Sequence, residues 1–147
     1  MNDNVHIHAE QYTPGLDQNA RTPQSTLTKA TIGAFMAQYL VAIHHPDNYE
    51  PSSEDKTMHR DIDSLNDEMV AAGKRVFVGG LQSAGNAMSV RVQPDGMIQT
   101  AEGSYLQTNE HVGGFWVVEA HDMDEALEWG RKAAVACRAP VEVRRFN

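Results

Sequence analysis

Histidine, arginine and a few carboxylates stand where this chain could do chemistry. His44 and His45 end an apolar run and open a loop, His44-His45-Pro46-Asp47-Asn48-Tyr49-Glu50-Pro51. Imidazole titrates near neutral pH, so a histidine at a strand end can give or take a proton. His44, nearer the sheet, is the stronger candidate of the two, and Asp47 could orient either ring. Arg91 alternates with apolar neighbours in Met88-Ser89-Val90-Arg91-Val92. Its guanidinium could anchor a carboxylate or phenolate through paired hydrogen bonds, or form an interface ion pair with Glu119 or Glu142. Glu102, Tyr105 and His111 bring a carboxylate, a phenol and an imidazole into one short stretch. Together they could surround a small polar ligand. His6 and His8 share a face of an extended segment but lack further ligands, so no metal site is expected. Gly79-Gly80 and Gly113-Gly114 lack the spacing of a phosphate-binding loop. No GxSxG elbow and no HExxH pattern is present, so serine-triad and zinc hydrolysis find no support, and no cofactor is expected.

The elements that must position these groups follow from periodicity. Residues 1–34 carry Pro14, Gly15, Pro23 and many Asn, Gln, Thr and Ser, and read as an extended or partly disordered arm. Val5, Ile7, Tyr12, Leu16 and Leu27 could dock that arm on the domain or on a second subunit. The domain proper spans residues 35–147. Ala37 to Ile43 is a strand, apolar on both faces. Ser52 or Ser53 can cap the next helix, with Glu54 and Asp55 in its first turn. Met58, Ile62, Leu65, Met69 and Ala72 recur at helical spacing and Gly73 stops the helix. Strands follow at Arg75–Gly80, Met88–Gln93, Met97–Thr100 and Phe115–Ala120, with Pro94-Asp95-Gly96 as a turn. Asp122 caps a second helix that runs through Cys137 and buries Met123, Ala126, Leu127, Gly130, Ala133, Ala134 and Cys137. Val141–Phe146 closes the chain as a strand. The order β-α-β-β-(β)-β-α-β predicts an α+β ferredoxin-like sandwich, a mostly antiparallel sheet with both helices on one face. The strands at Ala37–Ile43 and Phe115–Val118 are also apolar on the other face, which a second subunit would cover.

Composition narrows the function classes. At 147 residues with 41% hydrophobic and 22% charged residues the chain fits a single globular domain with a core. A formal charge of −8 offers no basic footprint for nucleic acid. No apolar run approaches the roughly 20 residues of a membrane span. The N-terminus lacks a basic segment followed by an apolar one, so export is not expected. One cysteine, Cys137, excludes an intrachain disulfide and fits the reducing cytoplasm.

The stretch from Glu102 to Phe115 carries a resemblance. Together with Gly79-Gly80-Leu81-Gln82, Ser89-Val90-Arg91-Val92, Asp122-Met123-Asp124-Glu125-Ala126-Leu127 and Val141-Glu142-Val143-Arg144, it resembles the YCII-related, or DGPF-domain, family over residues 36–147. The family's loop reads approximately DGPFAETKE followed by GGF. Glu102 stands for its aspartate, Gly103 for its glycine, Ser104 for its proline and Tyr105 for its phenylalanine. Thr108, Glu110, Gly113, Gly114 and Phe115 match directly. The resemblance implies a dimeric α/β barrel in which two sheets enclose pockets. Most of the family has no assigned activity. Some members are encoded beside sigma factors of the extracytoplasmic type, and the wider superfamily includes a ring-dehalogenating enzyme. A His-Asp pair is implied for the YCII-type branch, with its histidine on the first helix and its aspartate near the end of the second. His59 is the similar histidine here, while the second helix ends Ala136-Cys137-Arg138-Ala139-Pro140 without an aspartate. The expectation is a cytoplasmic homodimer that binds a small polar or aromatic molecule, with cofactor-free acid–base chemistry by His44 or His59. The alternative is a non-catalytic interaction or regulatory module that docks a protein partner.

Overall fold

The computed structural model describes residues 35–147. The expected arm, with His6 and His8, lies outside the described residues. The elements run β1 (Ala37–Pro46), α1 (Lys56–Ala71), β2 (Arg75–Gly80), β3 (Met88–Val92), β4 (Ile98–Glu102), β5 (Glu110–Ala120), α2 (Met123–Cys137) and β6 (Val141–Arg145). Short 3-10 turns occupy Pro51–Ser53 and Ala84–Asn86.

Four strands form one antiparallel sheet in the order β2-β5-β1-β6, which is the ferredoxin-like order. Strand alternation sorts the side chains. Tyr39, Val41 and Ile43 of β1 and Trp116, Val118 and Ala120 of β5 point to one face and are buried there. Met58, Leu65 and Met69 of α1 and Ala126, Trp129, Ala133 and Cys137 of α2 complete the same cluster. Each large side chain removed from water in this layer contributes about 1.5–3 kcal/mol. The Trp116 indole keeps its N–H satisfied, donating to Asn66 Oδ1 of α1 at 2.9 Å. Among the described residues no helix is long and apolar enough to cross a membrane.

The helix ends show where local chemistry acts. Asp122 accepts from Glu125 N at 2.9 Å, and Glu125 Oε2 accepts from His121 N at 2.7 Å, a reciprocal cap that starts α2. At the other end Arg138 adopts a left-handed conformation with φ 50°. Its guanidinium lies 3.7 Å from Asp55 and 3.5 Å from Asp61, which ties the end of α2 to α1. The start of α1 differs from expectation. Asp55, not Ser52 or Ser53, is its cap, accepting from Met58 N at 2.7 Å. Pro51–Ser53 is a separate 3-10 turn, so Glu54 stands before the helix rather than inside its first turn.

The expected dimeric α/β barrel is overturned. Among the described residues the sheet is open, with β2 and β6 as its edges, and β3 and β4 pair only with each other as a separate two-stranded sheet. β1 and β5 are filled on both sides within the sheet, and the hairpin pairs with neither of the remaining edge strands, β2 and β6. Apolar residues on the second sheet face misled the expectation. Leu40, Val117 and Phe77 share that face, as do Ala42 and Phe115, and the Phe77 and Phe115 rings lie 5.4 Å apart. Such a face requires a cover, and a cover does not require ring closure. What stands is an α+β fold with an antiparallel sheet and two helices.

Candidate functional site

A cavity of about 250 Å³ opens where β1 runs into its loop. Its walls come from the end of β1, the loop through Tyr49 and Glu54, the start of β5 and the segment after β2. A second hollow of about 170 Å³ adjoins it toward the core, sharing His45, Glu54, Gly80 and Gly113 and reaching Cys137.

An irregularity in the sheet builds the cavity's floor. Ile43 faces Gly114, but His44 faces Val112 and His45 faces His111, so Gly113 is an extra residue on β5. A one-residue insertion reverses the faces of the residues beyond it. It therefore brings His111 to the same side as His45. The His45 ring lies directly across Gly113, where a Cβ would overlap its Cδ2. Glycine is required there for close approach rather than for backbone freedom, since Gly113 has no positive φ.

Four side chains then connect. The His45 ring stacks on Tyr49, with centroids 3.8 Å apart and planes within 10°. The Tyr49 hydroxyl donates to Glu54 Oε1. The other oxygen, Oε2, lies 2.9 Å from His59 Nε2. Burial lowers the pKa of His45, with Glu54 opposing that in part and His44 adding to it, so its imidazole is neutral near neutral pH. Burial, followed by the bond to Glu54, raises the pKa of Tyr49 and keeps its proton in place. Burial also pushes the Cys137 thiol up to about 11, which makes it a poor nucleophile.

His111 forms the opposite wall. Its Nε2 lies 3.0 Å from the Leu106 carbonyl and its Nδ1 2.6 Å from Asp47 Oδ1. Two acceptors on the two ring nitrogens favour the imidazolium. The Leu106 carbonyl, then Asp47, accordingly raise its pKa. The backbone of Asp47 also donates to Asn109 O at 2.9 Å, so this clamp joins the loop after β1 to the loop before β5.

The expected site residues are therefore divided. His111 lines the cavity and His59 reaches it through Glu54. His44 is not among the lining residues, and its backbone N–H donates to Pro140 O at 2.9 Å. Arg91 and Tyr105 meet elsewhere, with the guanidinium 4.9 Å above the phenol ring. Glu102 is exposed and pairs across the hairpin with Met88. Asp47 orients His111 instead of His44 or His45. Spacing alone marks Glu54 as a helix-start acid and Tyr49 as a loop residue. Pro51 just before Ser52-Ser53, which makes a separate turn there, was the one local signal that Glu54 stands free.

A family model described as the YCII-related domain matches residues 36–147. No curated protein matches the chain.

Proposed function

The chain belongs to the YCII-related domain family, and on that premise we propose that it binds a small polar or aromatic molecule in the cavity beside His45. The observation that carries this reading is the His45 ring, stacked on Tyr49 and lining a concave site together with Glu54. A neutral imidazole held in place can accept a proton from a bound molecule. Tyr49, bonded to Glu54, and His59, close to the other Glu54 oxygen, form a line beside it along which charge can redistribute. The chemistry is acid–base and uses no cofactor. His45 takes the proton-transfer role that position along the strand assigned to His44, and His59 acts through Glu54.

The protein works as a homodimer in this reading. Met88, Val90, Val92 and Ile98 are exposed on the β3–β4 hairpin, and a lone two-stranded hairpin is marginally stable. A second copy covers it and brings Arg91, Glu102 and Tyr105 to the interface. The same exposed hairpin favours a second reading, a non-catalytic module on which a protein partner docks.

The test is a nitrogen-15 NMR screen of small polar and single-ring compounds against the full chain. Ligands should shift the backbone amides of Gly80, Leu81 and Gly113. Exchange of His45 for Gln should weaken those shifts, whereas His44→Gln should leave them unchanged. Binding that is indifferent to His45, or shifts confined to the hairpin, sinks the catalytic-pocket reading in favour of the docking module.

A further inference from the structure

The cavity's charge and size together restrict its ligand more than its outline does. A cavity of about 150 Å³ is enough to hold benzene. At about 250 Å³ this one has room for a single ring with a short substituent. Its ionisable lining is His45, Asp47, Tyr49, Glu54 and His111, of which the two carboxylates carry the negative charge. Asp47 and Glu54 both face it, and among the described residues no lysine or arginine does.

The positive groups nearby are already engaged. His111 places Nδ1 on Asp47 and Nε2 on the Leu106 carbonyl, so neither nitrogen is left to hold an anion. The His59 Nε2 is turned onto Glu54. The N-terminus of α1, which could attract an anion through its free N–H groups, is closed by the Asp55 carboxylate on Met58 N at 2.7 Å. A ligand carboxylate would lose its water shell against two carboxylates and gain no charged donor in exchange. A protonated amine meets the opposite situation. Its N–H groups find Asp47 Oδ2, since Asp47 Oδ1 is on His111 and the two Glu54 oxygens are on Tyr49 and His59, and its charge can lie against the stacked His45–Tyr49 pair.

We infer that the cavity takes compact, ring-sized amines and rejects anions of the same shape. This rests on the reading that the cavity binds small molecules, and names the class it takes. The experiment compares benzylamine, benzyl alcohol and benzoate as probes of one shape and three charges. Each is titrated into the full chain at pH 7 while the Gly80, Leu81 and Gly113 amides are followed. Affinity should fall in that order, with benzylamine over benzoate by roughly tenfold or more, as expected for one charge pair near a protein surface. Exchange of Asp47 for Asn, or of Glu54 for Gln, should bring that ratio toward one. Benzoate binding as tightly as benzylamine overturns the charge selection and leaves small-molecule binding standing. No response at those amides to any of the three overturns both.

Discussion

Gly113 and His45 occupy space that one side chain and one hydrogen must share. With a methyl group at position 113 overlapping the His45 ring, Gly113→Ala must displace the imidazole or bend β5. The expected cost is about 1–3 kcal/mol, typical of overpacking. A lowered thermal midpoint and lost ligand shifts would show it together. His111 makes a pH prediction. Its folded pKa is raised above the ordinary 6.5. The stability it contributes is therefore complete below that value and lost as pH rises through the folded one. His45 has the opposite sign. Its pKa is lowered, so its contribution is complete above the ordinary value and lost as pH falls through the folded one. Urea melts across pH 5–9 should show His111→Gln removing the alkaline decline and leaving the acid one. An unchanged alkaline limb would show that the clamp holds without its charge.

The second helix and the last strand meet through a gap of glycine size. A Cβ on Gly130 would lie 2.7 Å from Val143 Cγ2. Alanine is the better helix former by about 1 kcal/mol, yet Gly130→Ala should destabilise by about 1–3 kcal/mol, because this contact outweighs propensity. Adding Val143→Ala should recover part of the loss, and a double-mutant cycle in urea would measure how much. Periodicity exposed much of this level. It found Met58, Leu65 and Met69 on α1, and Ala126, Gly130, Ala133 and Cys137 on α2. It missed Trp129 and Ala136, and it placed Met123 and Ala72 inward although both are exposed. The site was less legible because it depends on two local irregularities. Adjacent Ser52, Ser53 and Asp55 are all competent caps, and their types cannot say which one closes the helix. That choice decides whether Glu54 faces a helix or a cavity. The extra residue at Gly113 brings His111 beside His45, and Asp47 reaches His111 across 64 residues of sequence. Neither consequence follows from residue spacing.

At the scale of the molecule, apolar surface remains after the core is complete. Doubly apolar strands were readable as a need for cover, but the route to that cover was not, because pairing edges are a property of the assembled sheet. The hairpin is the testable part. Val90 and Ile98 are 62% and 71% exposed, so lysine at both positions should leave the core undisturbed. If the proposed homodimer forms through this hairpin, light scattering should then report a fall in mass from dimer to monomer, with little change in melting temperature measured in the monomer's own concentration range. A dimer that survives both changes places the contact elsewhere. Cys137 is the chain's only thiol, and it lies in the core between helix and sheet. An alkylating reagent too large for the hollow that borders it can reach it only when α2 lifts away. Its labelling rate is thus a clock for local opening, calibrated against a free thiol at the same pH. The Gly130→Ala chain should label faster than the unaltered one by the factor its lost stability sets. A single buried sulfur lets this protein report its own breathing without any added probe.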